Sequence, residues 1–375
     1  MITANKEIRL TLRDKFTLLL YGLYFVLKPF YLWDSGLPQI SDFIIVIMFC
    51  FYFISSGLSV RFDSNMKKLL FTGLLFSAYV LIANIIWMFI LSGPTSFIIT
   101  SIFYIYNFLM VLIIAVLYFD YDYKVIEVTY MATLISLIVQ IIMYLVGGGF
   151  SGGRVVAGFN NPNQLGYYGL VTFALLILSS RRIKVKGRWF VLGICISAIL
   201  CFSSLSKAAM LSYMGMSCFY IFSNNKNKKL KRNINIIIIL SVIILYFIYQ
   251  FNRELIISNG LYISVERRIN SIGMDGDDNL EGRGYYRITE YPQYWIFGAG
   301  EGEYYRFNQA MEFHSTLGNI QVSYGLVGLS LFLGFIIIAL QKDRFRSWYL
   351  IGFILIYGLT HNGIRNSLFW ILIAL

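Results

Sequence analysis

LLFTGLLFSAYVLIANIIWMFIL, residues 69–91, runs from Leu69 to Leu91 without one charged side chain. About 20 apolar residues in helical conformation cross the roughly 30 Å of hydrocarbon in a bilayer, so this stretch reads as a membrane span. Phe97 to Phe119 and Ile234 to Phe251 have the same character. A transmembrane barrel needs apolar and polar residues to alternate, whereas Ile236, Ile237, Ile238 and Ile239 are consecutive and would be apolar on every face. The whole chain agrees: 58% of its residues are hydrophobic and 13% charged, with a mean hydropathy of +0.68, while a soluble domain carries roughly a quarter charged residues. The sequence predicts an all-α, polytopic membrane protein of about 11 to 12 transmembrane helices.

The spans fall near 16–33, 43–60, 69–91, 97–119, 125–147, 164–180, 189–204, 208–224, 234–251, 318–340 and 347–360, followed by a short apolar end, Ser367 to Leu375. The net charge of +12 could suggest nucleic acid, but most of it lies in short gaps between these runs. Lys6, Arg9, Arg13 and Lys15, then Arg61, Lys67 and Lys68, then Arg181 to Arg188, Lys226 to Arg232, and Lys342, Arg344 and Arg346 all share one side. By the positive-inside rule that side is cytoplasmic, with the amino terminus on it and no removed signal peptide expected. The economical reading is one membrane domain over 1–375, with a large extracytoplasmic loop, 252–317, between helices nine and ten. Cys50, Cys195, Cys201 and Cys218 all lie within apolar runs, which indicates small packing residues rather than disulfides or a zinc site.

Chemistry is expected on the outer face, in 147–163 and 252–317. Arg154 stands among glycines just before Asn160-Asn161-Pro162-Asn163, where Asn161 is placed to cap the sixth helix and Pro162 to open it. Free backbone donors beside a guanidinium suit an anion. The eighth, tenth and twelfth helices also start on the outside, near Lys207, His314 and Arg365, so four positive dipole ends are expected to converge. Lys207, after Ser203, Ser204 and Ser206, needs a polar partner or a water cavity, unless its stem snorkels to the interface. Gly282-Arg283-Gly284-Tyr285-Tyr286-Arg287 sets two guanidiniums four positions apart, a diphosphate clamp if the segment is helical and nothing of the kind if it is coil. Gly298-Ala299-Gly300-Glu301-Gly302 lacks the lysine and the strand–helix setting of a nucleotide loop. His314 is one of only two histidines and borders the arginine-rich loop, which raises it above an ordinary loop histidine as a general base or hydrogen-bond donor. Asp275-Gly276-Asp277-Asp278 reads more simply as a solvated turn than as a metal site.

Arg154 with Gly158-Phe159-Asn160-Asn161-Pro162-Asn163, Ser206-Lys207-Ala208-Ala209, Gly282-Arg283, Gly298 to Gly302, Phe313-His314-Ser315-Thr316-Leu317 and Tyr324-Gly325-Leu326-Val327-Gly328 occur in an order that resembles the O-antigen ligase and polymerase superfamily, over roughly residues 150 to 330. The resemblance implies a C-type glycosyltransferase-like fold in the bacterial inner membrane, facing the periplasm. It further implies action on undecaprenyl-diphosphate-linked oligosaccharides by inverting transfer, with no nucleotide sugar, cofactor or obligatory metal. Its partners would be that lipid-linked glycan, membrane lipid and, for a polymerase, a chain-length regulator protein; nucleic acid is not among them. The catalytic set implied is His314, Arg283, Arg287 and Glu301, with Glu312 as a further candidate. The diphosphate would be held by Arg154, Lys207, Asn161 and Asn163, and Tyr285, Tyr286, Tyr304 and Tyr305 would line the sugar path. Ser206-Lys207-Ala208 stands where the family has Ser-Arg-Gly, so a point charge replaces a planar fork. His314-Ser315-Thr316 looks closer to the polymerase branch than to the ligases, which hand glycan to a lipid A core or a protein. A lipid-linked oligosaccharide flippase is the alternative of another class, although transporters gather their polar residues at the bilayer midplane.

Overall fold

The computed structural model describes residues 10–34, 36–56, 62–147, 149–151, 154–224, 279–308 and 312–375, together with the single positions 263, 266 and 270. The ninth apolar run (234–251), the basic residues Lys226 to Arg232, and Asp275, Asp277 and Asp278 lie outside the described residues. The helices are α1 (Leu12–Leu27), α2 (Ile40–Ser56), α3 (Ser64–Ile90), α4 (Ser96–Tyr121), α5 (Tyr123–Leu145), α6 (Pro162–Arg182), α7 (Gly187–Ser203), α8 (Lys207–Asn224), the short α9 (Tyr286–Glu290), α10 (Thr316–Lys342), α11 (Trp348–Tyr357) and α12 (Ser367–Ala374). Strand is confined, among the described residues, to Phe150–Ser151 paired antiparallel with Arg154–Val155. Among the described residues four helices, α3, α4, α5 and α10, are long and apolar enough to cross a membrane. Leu74, Ile82, Ile86, Phe89, Ile99, Ile102 and Ile337 stand exposed on α3, α4 and α10, as fits a chain embedded in lipid.

Local chemistry sets the boundaries. Most spans agree with the sequence reading to within about four residues, but α1 begins and ends early. Thr11 and Asp14 form a reciprocal capping box that starts the helix at Leu12; at the other end Lys28 keeps helical dihedrals, but Pro29 has no amide proton for the Phe25 carbonyl, which accepts from Ser136 instead. Asn161 caps α6 ahead of Pro162, Ser315 caps α10 through the Gly318 amide, and Asn366 caps α12 through Leu368.

α6 is the central post, buried on nearly every face from Leu165 to Ser179. A helix shielded all round can carry Tyr167, Tyr168 and Thr172 without facing lipid. Small residues bring its neighbours close: a Cβ at Gly169 would meet the Ser197 carbonyl at 2.8 Å, and one at Gly166 the Ser204 hydroxyl at 2.5 Å. α12 is likewise buried throughout, with Trp370 donating to the Ile364 carbonyl. It packs on α4, α6 and α10.

α10 breaks at Gly325 (φ 65°, ψ −168°), which frees backbone groups that a bilayer cannot satisfy. Trp295 to Gly300 docks on the break and satisfies them. Ala299 and Gly300 donate to the Val322 and Ser323 carbonyls at 2.9 and 2.7 Å, while Leu326 and Val327 donate to those of Trp295 and Ile296 at 2.7 and 3.2 Å. The approach leaves no room for side chains: a Cβ at Gly325 would lie 2.2 Å from the Ile296 oxygen, and one at Gly298 lies 2.3 Å from the backbone at Ser323. Trp87 and Tyr79 of α3 hold the same segment by donating to the Gly298 and Phe297 carbonyls.

Candidate functional site

The amino-terminal ends of α6, α8, α10 and α12 meet at one end of the bundle, and side chains from each stitch them together. Arg154 donates from Nε to the Ser204 carbonyl at 2.8 Å, next to the start of α8, and from Nη2 to Asn163 Oδ1 at 2.7 Å in the first turn of α6. Asn161 Oδ1 caps the Asn163 amide, and Tyr357 at the end of α11 donates to the Asn163 carbonyl. Tyr357 lies within electrostatic reach of both Arg154 and Arg283 and stacks on His361, centroids 4.7 Å apart. Lys207 is half-buried at the first position of α8. Arg181 donates to the Arg346 carbonyl, so the basic carboxyl-terminal ends of α6 and α10 gather at the opposite end of the bundle.

Arg283 and Arg287 do not share a helical face. Gly284, at φ 91°, turns the chain before α9 starts, so Arg283 lies in the preceding turn and Arg287 in the helix. Arg283 donates to the Thr360 carbonyl on the loop between α11 and α12, and its own carbonyl accepts from the His314 amide at 3.1 Å. Arg287 is 2% exposed, with its guanidinium 5.0 Å from the Phe307 ring and 5.7 Å from that of Tyr304. Tyr285 donates to Ser315 Oγ and the Leu359 carbonyl and Tyr286 to the Phe307 carbonyl, which ties this segment to the turns around it. Tyr305 is exposed.

His314 Nδ1 is 2.8 Å from the Glu312 carbonyl. A carbonyl can only accept, so this contact puts the proton on Nδ1 and leaves Nε2 as the basic nitrogen.

Arg365, which the sequence marks only as a cation near the last helix, is gripped by two carboxylates. Arg365 Nη2 is 2.6 Å from Glu301 Oε1, and its Nη1 is 3.0 Å from Glu312 Oε2. Glu301 is fully buried; its other oxygen accepts from Tyr104 at 2.8 Å and Tyr324 at 3.0 Å, and its amide donates to Asn84 Oδ1. Asn362 Nδ2 donates to Glu312 Oε1 at 2.6 Å. Burial works against the Arg365 charge, but Glu301 and Glu312 outweigh it and hold the guanidinium well above its ordinary pKa. Tyr304 beside them is raised by burial and by the same two carboxylates. Arg306 was also missed. It donates to the Gly300 and Gly302 carbonyls and lies over the Trp87, Phe97 and Phe307 rings, and burial lowers it to about 10. The signal for Arg365 was available: a cation just before a helix whose last seven residues, Leu368 to Ala374, are apolar requires an acid or a water path.

Among the described residues, no cluster of three or more His, Cys, Asp and Glu side chains is placed to hold a metal ion. No known protein-family model matches the chain, and no curated protein matches it.

Proposed function

We propose that this chain is a polysaccharide polymerase that joins undecaprenyl-diphosphate-linked repeat units on the periplasmic face of the bacterial inner membrane. On this reading the chain spans the membrane with its amino terminus in the cytoplasm, has a C-type glycosyltransferase-like fold, and uses 252–317 as its extracytoplasmic loop. The observation that carries the reading is the meeting of four helix amino termini with Arg154, Lys207, Arg283, Arg365 and His314 at one end of an apolar bundle. The carboxyl-terminal ends carrying Arg181, Arg182, Lys342, Arg344 and Arg346 lie at the other end, as the positive-inside rule would have it for a site that faces outward.

The chemistry follows from what a glycosyl diphosphate needs. A lipid diphosphate leaves readily once its charge is met, so catalysis requires fixed cations, a base and positioning. An acceptor hydroxyl attacks the anomeric carbon from the face opposite the diphosphate; the new C–O bond forms as the bond to the diphosphate oxygen breaks, inverting the centre. His314 Nε2 takes the hydroxyl proton, and the lipid diphosphate departs against Arg154, Lys207 and Arg283 with the dipoles of α6 and α8. A flippase would instead need its polar groups near midplane.

The test is the surface-polysaccharide ladder of a deletion strain complemented with the intact gene. Product capped with a single repeat in the deletion, with the ladder restored on complementation, is expected. Full-length polymer stranded on undecaprenyl diphosphate would make the chain a ligase, and an unaltered ladder would remove the reading altogether.

A further inference from the structure

Two carboxylates bind Arg365, and they are held in different ways. Glu301 is at 0% exposure and fixed from three sides, whereas Glu312 and Arg365 expose 30% and 26% of their side chains. The loop carrying Arg365 is itself anchored, with Asn107 donating to the Arg365 carbonyl at 3.2 Å and Trp370 to that of Ile364. Asn362 Nδ2 and Arg365 Nη1 thus form a rigid two-donor cradle, one donor neutral and one charged, occupied by the two oxygens of Glu312. An amide and a guanidinium gripping adjacent oxygens is also how a protein holds a phosphoryl group. Arg283 reaches the same loop at Thr360, and His314 is oriented by the Glu312 carbonyl.

We infer that the Asn362–Arg365 cradle is an oxyanion subsite for a diphosphate, and that the Glu312 carboxylate is its resident counter-anion, displaced when the diphosphate arrives. The inference rests on the reading of this end of the bundle as a lipid-diphosphate site, and deepens it. Glu301 stays in place throughout, so Arg365 keeps one carboxylate and is held as a positioned donor while Glu312 exchanges. Displacement also makes binding self-limiting, because the departing carboxylate returns to compete with product.

The test is diphosphate binding by the purified full-length protein in nanodiscs, read by intrinsic tryptophan fluorescence, with inorganic diphosphate and undecaprenyl diphosphate as separate probes. A half-exposed ion pair leaves the cradle open a substantial fraction of the time, so removing the competitor in Glu312→Gln should tighten binding about 2- to 6-fold. Asn362→Ala and Arg365→Lys should weaken it. Tightening with both probes assigns the cradle to the diphosphate itself; tightening with the lipid alone assigns it to a headgroup presented from the bilayer. Unchanged or weaker binding of both probes by Glu312→Gln overturns the inference, and Glu312→Ala serves the same test should the glutamine variant not fold. Tightened binding in a protein whose deletion leaves the ladder intact keeps the subsite and removes the polymerase, whereas a lost ladder with unaltered binding does the reverse.

Discussion

Replacing Glu301 with Gln keeps its shape and removes its charge where three donors converge on one carboxylate: Arg365 at 2.6 Å, Tyr104 at 2.8 Å and Tyr324 at 3.0 Å. The amide offers one acceptor oxygen and turns two new N–H donors towards existing donors. At least one hydrogen bond to a charged partner is lost and one buried donor is stranded, together about 3 kcal/mol. Arg365→Gln leaves the buried carboxylate without its cation, and removal of one partner of a buried pair costs about 3–5 kcal/mol. Tyr324→Phe deletes a single donor, about 1 kcal/mol, because Tyr104 still serves the same oxygen. The assay is denaturant unfolding of purified protein in detergent for the three single variants and for the Glu301→Gln, Arg365→Gln double. Once the pair is gone there is nothing left to break, so the double variant should be less destabilised than the sum by at least about 1 kcal/mol. Strict additivity, or a Glu301→Gln protein as stable as the parent, would refute the buried ion pair as the anchor of the loop.

Other predictions test orientation, metal dependence, the arginines with His314, and the helix break. A cysteine at Asn279, in a parent lacking the native cysteines, should react with an impermeant thiol reagent in intact spheroplasts; labelling only after lysis would reverse the proposed topology. Polymerisation by purified protein should survive EDTA, and restoration of lost activity by Mg²⁺ would direct attention to Asp275, Asp277 and Asp278. Arg283→Lys should lower polymer yield at normal membrane insertion by trading a planar fork for a point charge, whereas Arg287→Lys, under the Phe307 and Tyr304 rings, should first lower stability by about 1 kcal/mol. His314→Ala should cost about 10²- to 10⁴-fold in rate, and near-normal ladders from it and from the Arg283/Arg287 double lysine variant would dismiss those assignments. Gly325→Ala should reduce the yield of folded protein severely, because the left-handed backbone alone costs about 1–3 kcal/mol and the new Cβ would strike the Ile296 carbonyl; normal yield would mean the break relaxes easily.

The helical architecture was legible because long uncharged runs such as Leu69 to Leu91 admit few other readings, and Asn161-Pro162 marked the start of α6 to the residue. What escaped was whatever depends on distant pairing. Glu301 and Arg365 are 64 positions apart, and no periodicity links them. The Arg283–Arg287 spacing suggested a common face, but one positive φ at Gly284 sends the two guanidiniums to different neighbours. No charged residue stands next to Tyr104 or Tyr324 in the sequence, and only the fold brings the Glu301 carboxylate to their hydroxyls.

The break in α10 bears on how the chain matures. The groups freed at Gly325 are met by residues 295 to 300, which must fold back on a helix synthesised after them, and Tyr79 grips Phe297 across 218 positions. The wedge therefore cannot seat until the helix it caps has been made. Contacts so remote in sequence form late, and the segment that depends on them is the one leading into Glu301. A chain that stops short of Tyr324 and Arg365 therefore holds the Glu301 carboxylate without two of the three donors that meet it in the finished fold.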